Sequence, residues 1–153
     1  MDTLDTLTAI EEIRLVEARY ARFADEKDWS ALAGLFTDDG TFEPRDADGK
    51  PLVVMNGRQA IADTLNAVSG RGVTPIHMFF TTEIEIISAT EARGVQSMAD
   101  LLFRGPDAPP SPGLPDFTEM QGWGHYHSTY VKVDGAWFIK ERVQTRTRLV
   151  FLP

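Results

Sequence analysis

Three histidines, His77, His125 and His127, are the side chains of this 153-residue chain best suited to acid–base or metal chemistry. Histidine is the side chain whose ordinary titration range places a base near neutral pH. His125 and His127 stand two apart on a strand-like run and so point the same way, which suggests a metal site. Such a pair needs a carboxylate a few residues on, and Ser128-Thr129-Tyr130-Val131-Lys132 supplies none before Asp134. No metal is therefore expected. His77 is a useful base if a carboxylate fixes its tautomer and stabilises the imidazolium that forms, and is otherwise a half-buried strand residue. The chain has no cysteine, which removes disulfides, thiolate nucleophiles and thiolate-bound metals.

Three further side chains attract attention by type and place. Tyr20 falls on the apolar stripe of a helical segment, as a core tyrosine or as a hydroxyl that polarises a substrate oxygen. Asp25 lies in Asp25-Glu26-Lys27-Asp28, a solvated helix end by its polarity. A carboxylate in a last helical turn nevertheless opposes the macrodipole, which suggests a role. Tyr20 and Asp25 are about 140° apart on an ideal helix, so one cavity serves both only if it wraps the helix end. Arg142 falls on the strand face opposite Trp137 and Ile139 under strict alternation; a bulge or bend is needed to turn it inward, and otherwise it is a surface arginine.

The elements that would position these groups read as follows. An amphipathic helix is expected over 8–27, with Thr8 and Glu11 as a capping box and Ile10, Ile13, Val16, Tyr20, Phe23 and Ala24 buried. A short helix follows, capped by Asp28, with Trp29, Leu32, Ala33 and Phe36 on one face and turn chemistry at Thr37-Asp38-Asp39-Gly40. Strands are expected near 41–44 and 51–55 around Asp46-Ala47-Asp48-Gly49. A third helix opens after Asn56-Gly57, turns Ile61, Leu65 and Val68 to the core and ends at Ser69-Gly70. Segments 76–88, 92–104, 121–133 and 137–151 have the period and composition of strands, the last two joined by a tight turn at Asp134-Gly135. Between the second and third of these, Gly105 to Asp116 holds Pro106, Pro109, Pro110, Pro112 and Pro115. That density forbids regular structure and predicts a loop over 105–118: a pocket lid, an oligomer contact or a solvated insertion. Helices first and antiparallel strands afterwards give an α+β domain spanning 1–153, with helices on one face of a strongly curved sheet.

Charge narrows the partners. Fifteen Lys+Arg against 23 Asp+Glu give a net charge of −8, which disfavours nucleic acid and acidic membrane surfaces and fits a neutral or weakly polar organic substrate. Met1-Asp2-Thr3-Leu4-Asp5 carries acid where a secretory leader carries positive charge, and no apolar run approaches membrane-spanning length, so a cytoplasmic location is expected.

Taken in order, Tyr20-x4-Asp25-x2-Asp28-Trp29, Leu35-Phe36-Thr37-Asp38-Asp39-Gly40, Gly57-Arg58-x2-Ile61, Ile76-His77, Gly124-x-Tyr126-x3-Tyr130 and Asp134-Gly135-x-Trp137-x-Ile139 resemble the SnoaL-like family of the nuclear transport factor 2-like superfamily. The resemblance implies a cystatin-like cone with three N-terminal helices. Within the superfamily it is similar to the branch of bile-acid 7α-dehydratase, scytalone dehydratase and hexachlorocyclohexane dehydrochlorinase. That branch implies a His77–Asp25 dyad, Tyr20 as a polar substrate contact, Arg142 near the leaving group and Asp100 as an acidic pocket residue. It further implies a cofactor-independent lyase acting by β-elimination on an aromatic, polycyclic or steroid-like molecule, with Phe79, Phe80, Trp123 and Tyr126 available to line the pocket, and a homo-oligomer, a trimer before a dimer. The superfamily also holds isomerases, polyketide cyclases and non-catalytic binding or assembly subunits, which are the alternative readings.

Overall fold

The computed structural model describes residues 1–153. Its first helix, α1 (Thr3–Glu26), starts upstream of Thr8 because Asp2 and Asp5 cap it reciprocally. Asp5 N donates to Asp2 Oδ1 at 2.8 Å and Asp2 N to Asp5 Oδ2 at 3.3 Å. That box satisfies the first free amides, so Thr8 and Glu11 fall inside the helix rather than at its start. The buried stripe is Ala9, Ile13, Val16, Tyr20 and Ala24, with Glu17 buried beside it.

At the far end Lys27 turns left-handed, with φ 57° and ψ 32°. Its ammonium donates to Gly70 O at 3.1 Å and Val73 O at 2.9 Å. One residue thus stops the helix and ties that end to the start of a later strand. Asp28 accepts from Ala31 N at 3.0 Å and caps α2 (Trp29–Ala33), as its position predicts.

The residues expected as a turn, Thr37 to Gly40, lie in strand β1 (Phe36–Pro44). Parallel pairing with the last strand overrides the local turn chemistry, and an irregularity between Phe36 and Thr41 absorbs the mismatch. The expected strand at 51–55 contracts to β2 (Met55–Asn56). Asp46 Oδ1 instead accepts from Asp48 N and Lys50 N at 3.0 and 2.9 Å, leaving one bridge between Arg45 and Pro51 and Leu52, Val53 and Val54 exposed. Helix α3 (Arg58–Ser69) follows, with Ile61 buried.

Four long strands complete the chain: β3 (Val73–Ile86), β4 (Glu91–Arg104), β5 (Glu119–Val133) and β6 (Ala136–Leu152). They match the expected segments to within a few residues. The sheet order is β2-β1-β6-β5-β4-β3, antiparallel except for β1 against β6. The three helices pack on this sheet around a core that includes Ile13, Tyr20, Leu32, Phe36, Ile61, Tyr126 and Ile139. Asp134 and Gly135 both take positive φ, 49° and 82°, the geometry of a two-residue hairpin.

Irregular registers decide which side chains face the helices. Tyr130 pairs with Ile139 but Thr129 with Glu141, so Lys140 is an extra residue in β6; Gly124 pairs with Arg146 but Trp123 with Arg148, so Thr147 is another. Each extra residue reverses the alternation. Trp137, Ile139, Arg142 and Gln144 are therefore all buried, and a surface Arg142 is excluded.

The proline-rich stretch is a loop, as expected; most of its residues are exposed, but it is anchored to the body of the domain. The Arg104 guanidinium donates to the carbonyls of Ala108 at 3.2 Å, Phe117 at 3.3 Å and Pro109. Ser111 Oγ donates to Val68 O at 3.2 Å, which holds the loop against the end of α3.

Candidate active site

The helix–sheet interface encloses a cavity of 360 Å³ with a mostly apolar wall. Tyr20, Phe42, Met55 and Tyr126 form one side, while Pro112, Gly113 and Leu114 of the proline-rich loop contribute another. Its polar groups come chiefly from five chain segments: Tyr20 of α1, His77 of β3, Asp100 of β4, Tyr126 of β5, and Gln144 with Arg146 of β6. A volume near the lower end of the roughly 300–1,000 Å³ usual for small-molecule pockets suits a compact ligand.

His77 and Asp25 meet. Asp25 Oδ1 accepts from His77 N at 2.7 Å and stands 2.9 Å from His77 Nδ1. An ionised carboxylate only accepts, so this contact puts the ring proton on Nδ1 and leaves Nε2 as the basic nitrogen. The His77 side chain is 11% exposed and lines the cavity; that of Asp25 is 39% exposed and does not. Asp25 therefore stands behind the imidazole, which resolves the angular separation of Tyr20 and Asp25 on α1. Tyr20 faces the cavity directly, and Asp25 acts on it through His77. Local sequence sets both ends of this contact, since Lys27 anchors the end of α1 to Val73, four residues before His77.

Tyr20 and Tyr126 lie with ring centroids 5.5 Å apart. Burial pushes both hydroxyls above the ordinary tyrosine range, more strongly for Tyr126, with the Arg142 charge pulling the other way. Both remain O–H groups near neutral pH, able to donate to an oxygen but not to act as bases.

Arg142 does not reach the cavity. Its side chain is fully buried and paired with Glu17, and its Nε donates to Ser128 Oγ at 3.0 Å. The guanidinium carbon lies 4.4 Å from the Tyr20 ring centroid and 4.5 Å from that of Tyr126. Burial alone would lower its pKa, but the Glu17 carboxylate holds it above its ordinary value. The place near a leaving group suggested by family resemblance is thus corrected: the Lys140 bulge turns Arg142 inward, and Glu17 of α1 captures it behind the tyrosines.

The aromatic candidates divide. Tyr126 lines the cavity. Phe79 packs on Tyr20 and Tyr126 at 6.1 and 5.6 Å between centroids but supports the wall from outside the cavity. Trp123 and Phe80 are corrected. Both point to the outer face of the sheet, 37% and 59% exposed, since alternation turns Gly122 and Gly124 inward instead.

Asp100 lines the cavity and is joined by a residue the sequence reading missed. Arg146 donates through Nη1 and Nη2 to Asp100 Oδ1 and Oδ2 at 2.5 and 3.0 Å, a bidentate pair whose side chains are 7–8% exposed. Gln144 is the second missed residue. Both face inward only because of the Lys140 bulge, which strict alternation along 137–151 does not reveal. The one sequence hint is the pair of glycines, Gly122 and Gly124, on the neighbouring strand. A Cβ at Gly122 would stand 2.5 Å from Asp100 Oδ1 and collide with Arg146 Nη1. His127 Nε2 lies 3.0 Å from Thr145 Oγ1, and no group of three His, Asp or Glu side chains is arranged to hold a metal.

Comparison with solved structures agrees with this architecture. A Mycobacterium tuberculosis protein of unknown function, solved as an Asp-to-Asn variant, is 27% identical, with a TM-score of 0.76 over 98% of this chain and 79% of its own. A candidate scytalone dehydratase from Novosphingobium aromaticivorans is 25% identical, with a TM-score of 0.78 over 99% and 93%. A hexachlorocyclohexane dehydrochlorinase from Novosphingobium barchaimii shares the fold at 18% identity, with a TM-score of 0.77 over 99% and 94%. The model of the SnoaL-like domain matches residues 5–143, and the chain belongs to that family.

Proposed function

We propose that the chain is a lyase of the dehydratase type, removing a proton from carbon and expelling a group from the neighbouring carbon. The observation that carries this reading is the single Asp25 oxygen bonded to both His77 N and His77 Nδ1. The contact orients the ring, stabilises the imidazolium and leaves Nε2 as the base. Tyr20, a donor by virtue of its burial, steadies charge developing on a substrate oxygen. The electron pair of the broken C–H bond forms the new double bond, and the departing group leaves with the pair of its own bond, as halide or as hydroxide that takes up the proton held by His77 and departs as water. No cofactor takes part. The candidate scytalone dehydratase and the dehydrochlorinase among the similar structures lend support by name. The apolar wall favours an aromatic or fused-ring substrate, and 360 Å³ favours a compact one over a steroid.

One observation favours a second reading, proton transfer within the substrate as in an isomerase or cyclase. Arg142 is held by Glu17 and Arg146 by Asp100, so no unpaired cation waits for a leaving anion. The same base would then return its proton.

A panel of aromatic and alicyclic alcohols and halides, followed by NMR in D₂O, separates the readings. A lyase releases its group; an isomerase places deuterium in a product of unchanged formula. His77→Ala is expected to abolish turnover with the fold intact. Asp25→Asn should lower kcat by ~10²-fold or more, in the range of acid–base groups. Tyr20→Phe should cost less, about 0.5–1.5 kcal/mol for one neutral hydrogen bond. Full activity in His77→Ala ends the reading, and ligand binding without turnover that is equal in wild type and His77→Ala identifies a binding subunit instead.

A further inference from the structure

His77 has a second carboxylate beside it. In the β3–β4 ladder His77 is the direct partner of Asp100, and both side chains line the cavity. Side chains so opposed start from Cβ atoms about 4.5–5.5 Å apart, so an unrestrained Asp100 carboxylate reaches the imidazole. Asp25 already holds Nδ1 from the other side. A ring flanked by two carboxylates is driven to the doubly protonated imidazolium, which has no lone pair and is no base.

Asp100 leans the other way. Both of its oxygens are taken by Arg146, which stands on β6, beyond β5. The pair crosses over Gly122, the direct β5 partner of Asp100, where any Cβ would strike both side chains. The charges facing His77 are then Asp25 from α1 and the neutralised Asp100–Arg146 pair from β4 and β6, with Tyr20 lining the same cavity. Lys27 is engaged with the carbonyls of Gly70 and Val73.

We infer that Arg146, with the space left by Gly122, is a positioning residue that holds Asp100 away from His77 and so keeps Nε2 free to accept a proton. The inference deepens the proposed function and rests on His77 as its base. Arg146 touches neither the ring nor the proton; it acts through Asp100.

The test reads the ring itself, by ¹⁵N NMR of imidazole-labelled protein at pH 7. In Arg146→Gln the released Asp100 should raise the ratio of imidazolium to neutral ring at His77 about tenfold, the effect of an opposite charge at ~4–6 Å. The acid limb of the pH–rate profile should move upward by about one unit with it. Gly122→Ala keeps both charges and displaces the pair, so it gives the same direction of change if Arg146→Gln does not fold. Asp100→Asn/Arg146→Gln, with no carboxylate left to swing, should return the His77 ring to its wild-type state. A merely structural role for Arg146 would lower the melting temperature and leave the ring nitrogens unmoved. Wild-type His77 resonances in folded Arg146→Gln or Gly122→Ala, or failure of the double variant to restore them, overturn the inference. Failure of the base reading looks different, because His77→Ala is then active.

Discussion

The ion pair between Glu17 and Arg142 gives the sharpest expectation for stability. Their side chains are 3% and 0% exposed, so Arg142→Met removes a cation and leaves a carboxylate where water does not reach. Breaking a pair in this setting costs about 3–5 kcal/mol, chiefly the uncompensated charge that remains. The Tyr130 hydroxyl also donates to Glu17 and solvates it in part, which places the loss in the lower half of that range. Loss of the guanidinium between the Tyr20 and Tyr126 rings at 4.4 and 4.5 Å adds about 0.5–1 kcal/mol or more. For a chain of this size each kcal/mol moves the melting temperature by about 2–4 °C, so a total loss of about 3.5–5 kcal/mol lowers it by roughly 7–20 °C. Urea unfolding followed by circular dichroism, with thermal melts alongside, measures both. The companion Glu17→Met/Arg142→Met replaces the pair by apolar volume and should recover most of the loss, as such replacements are often neutral. It should also keep measurable turnover, because neither side chain lines the cavity. A single variant that loses under about 1 kcal/mol, the cost of an exposed pair, refutes the argument. So does a double variant no more stable than the single.

Two further outcomes follow from burial and exposure. The chain has three tyrosines, and Tyr20, Tyr126 and Tyr130 are all pushed above the ordinary range, with burial the largest cause in each. Their neutral forms are favoured by folding, so this contribution to stability is fully present below pH ~10 and is lost as the pH rises above it. Tyrosinate absorbance at 295 nm should therefore appear together with alkaline unfolding, and a normal titration near pH 10 in the folded protein would contradict the assignment. A homotrimer is expected through the outer sheet face, where Ile76, Met78, Phe80, Trp123 and Leu152 are 37–59% exposed. Light scattering should give three times the monomer mass and Phe80→Asp should lower it, whereas a wild-type monomer at micromolar concentration would refute the expectation.

What the residues revealed unaided depended on whether their cause was local. The long strands were legible because Val, Ile, Phe and Thr alternate there, and the hairpin at Asp134-Gly135 because both residues tolerate positive φ. The helix start was misplaced because two capping boxes compete, and Asp2 with Asp5 lies outside the apolar stripe that drew attention to Thr8. Thr37 to Gly40 looks like a turn and is a strand, since its partner is β6, about a hundred residues away, and no local signal carries that pairing. Asp25, His77, Tyr20 and Tyr126 could be placed because the order of motifs in the family supplied the fold that gathers them. Arg142, Gln144 and Arg146 could not, because their direction depends on Lys140, the first of two extra residues in β6.

Those two residues link the sheet to its chemistry. A strictly alternating β6 that buried Trp137 and Ile139 would send Arg142, Gln144 and Arg146 to solvent and leave the cavity with His77 and an unpaired Asp100. Lys140 reverses the alternation once, which delivers Arg142 to Glu17 and Arg146 to Asp100. Thr147 reverses it again, so that Leu149 and Phe151 return to the cavity wall. Each cation enters the interior opposite one carboxylate, and each carboxylate needs it, for a lone buried charge costs several kcal/mol. The bulges are therefore what makes a polar cavity affordable in this sheet.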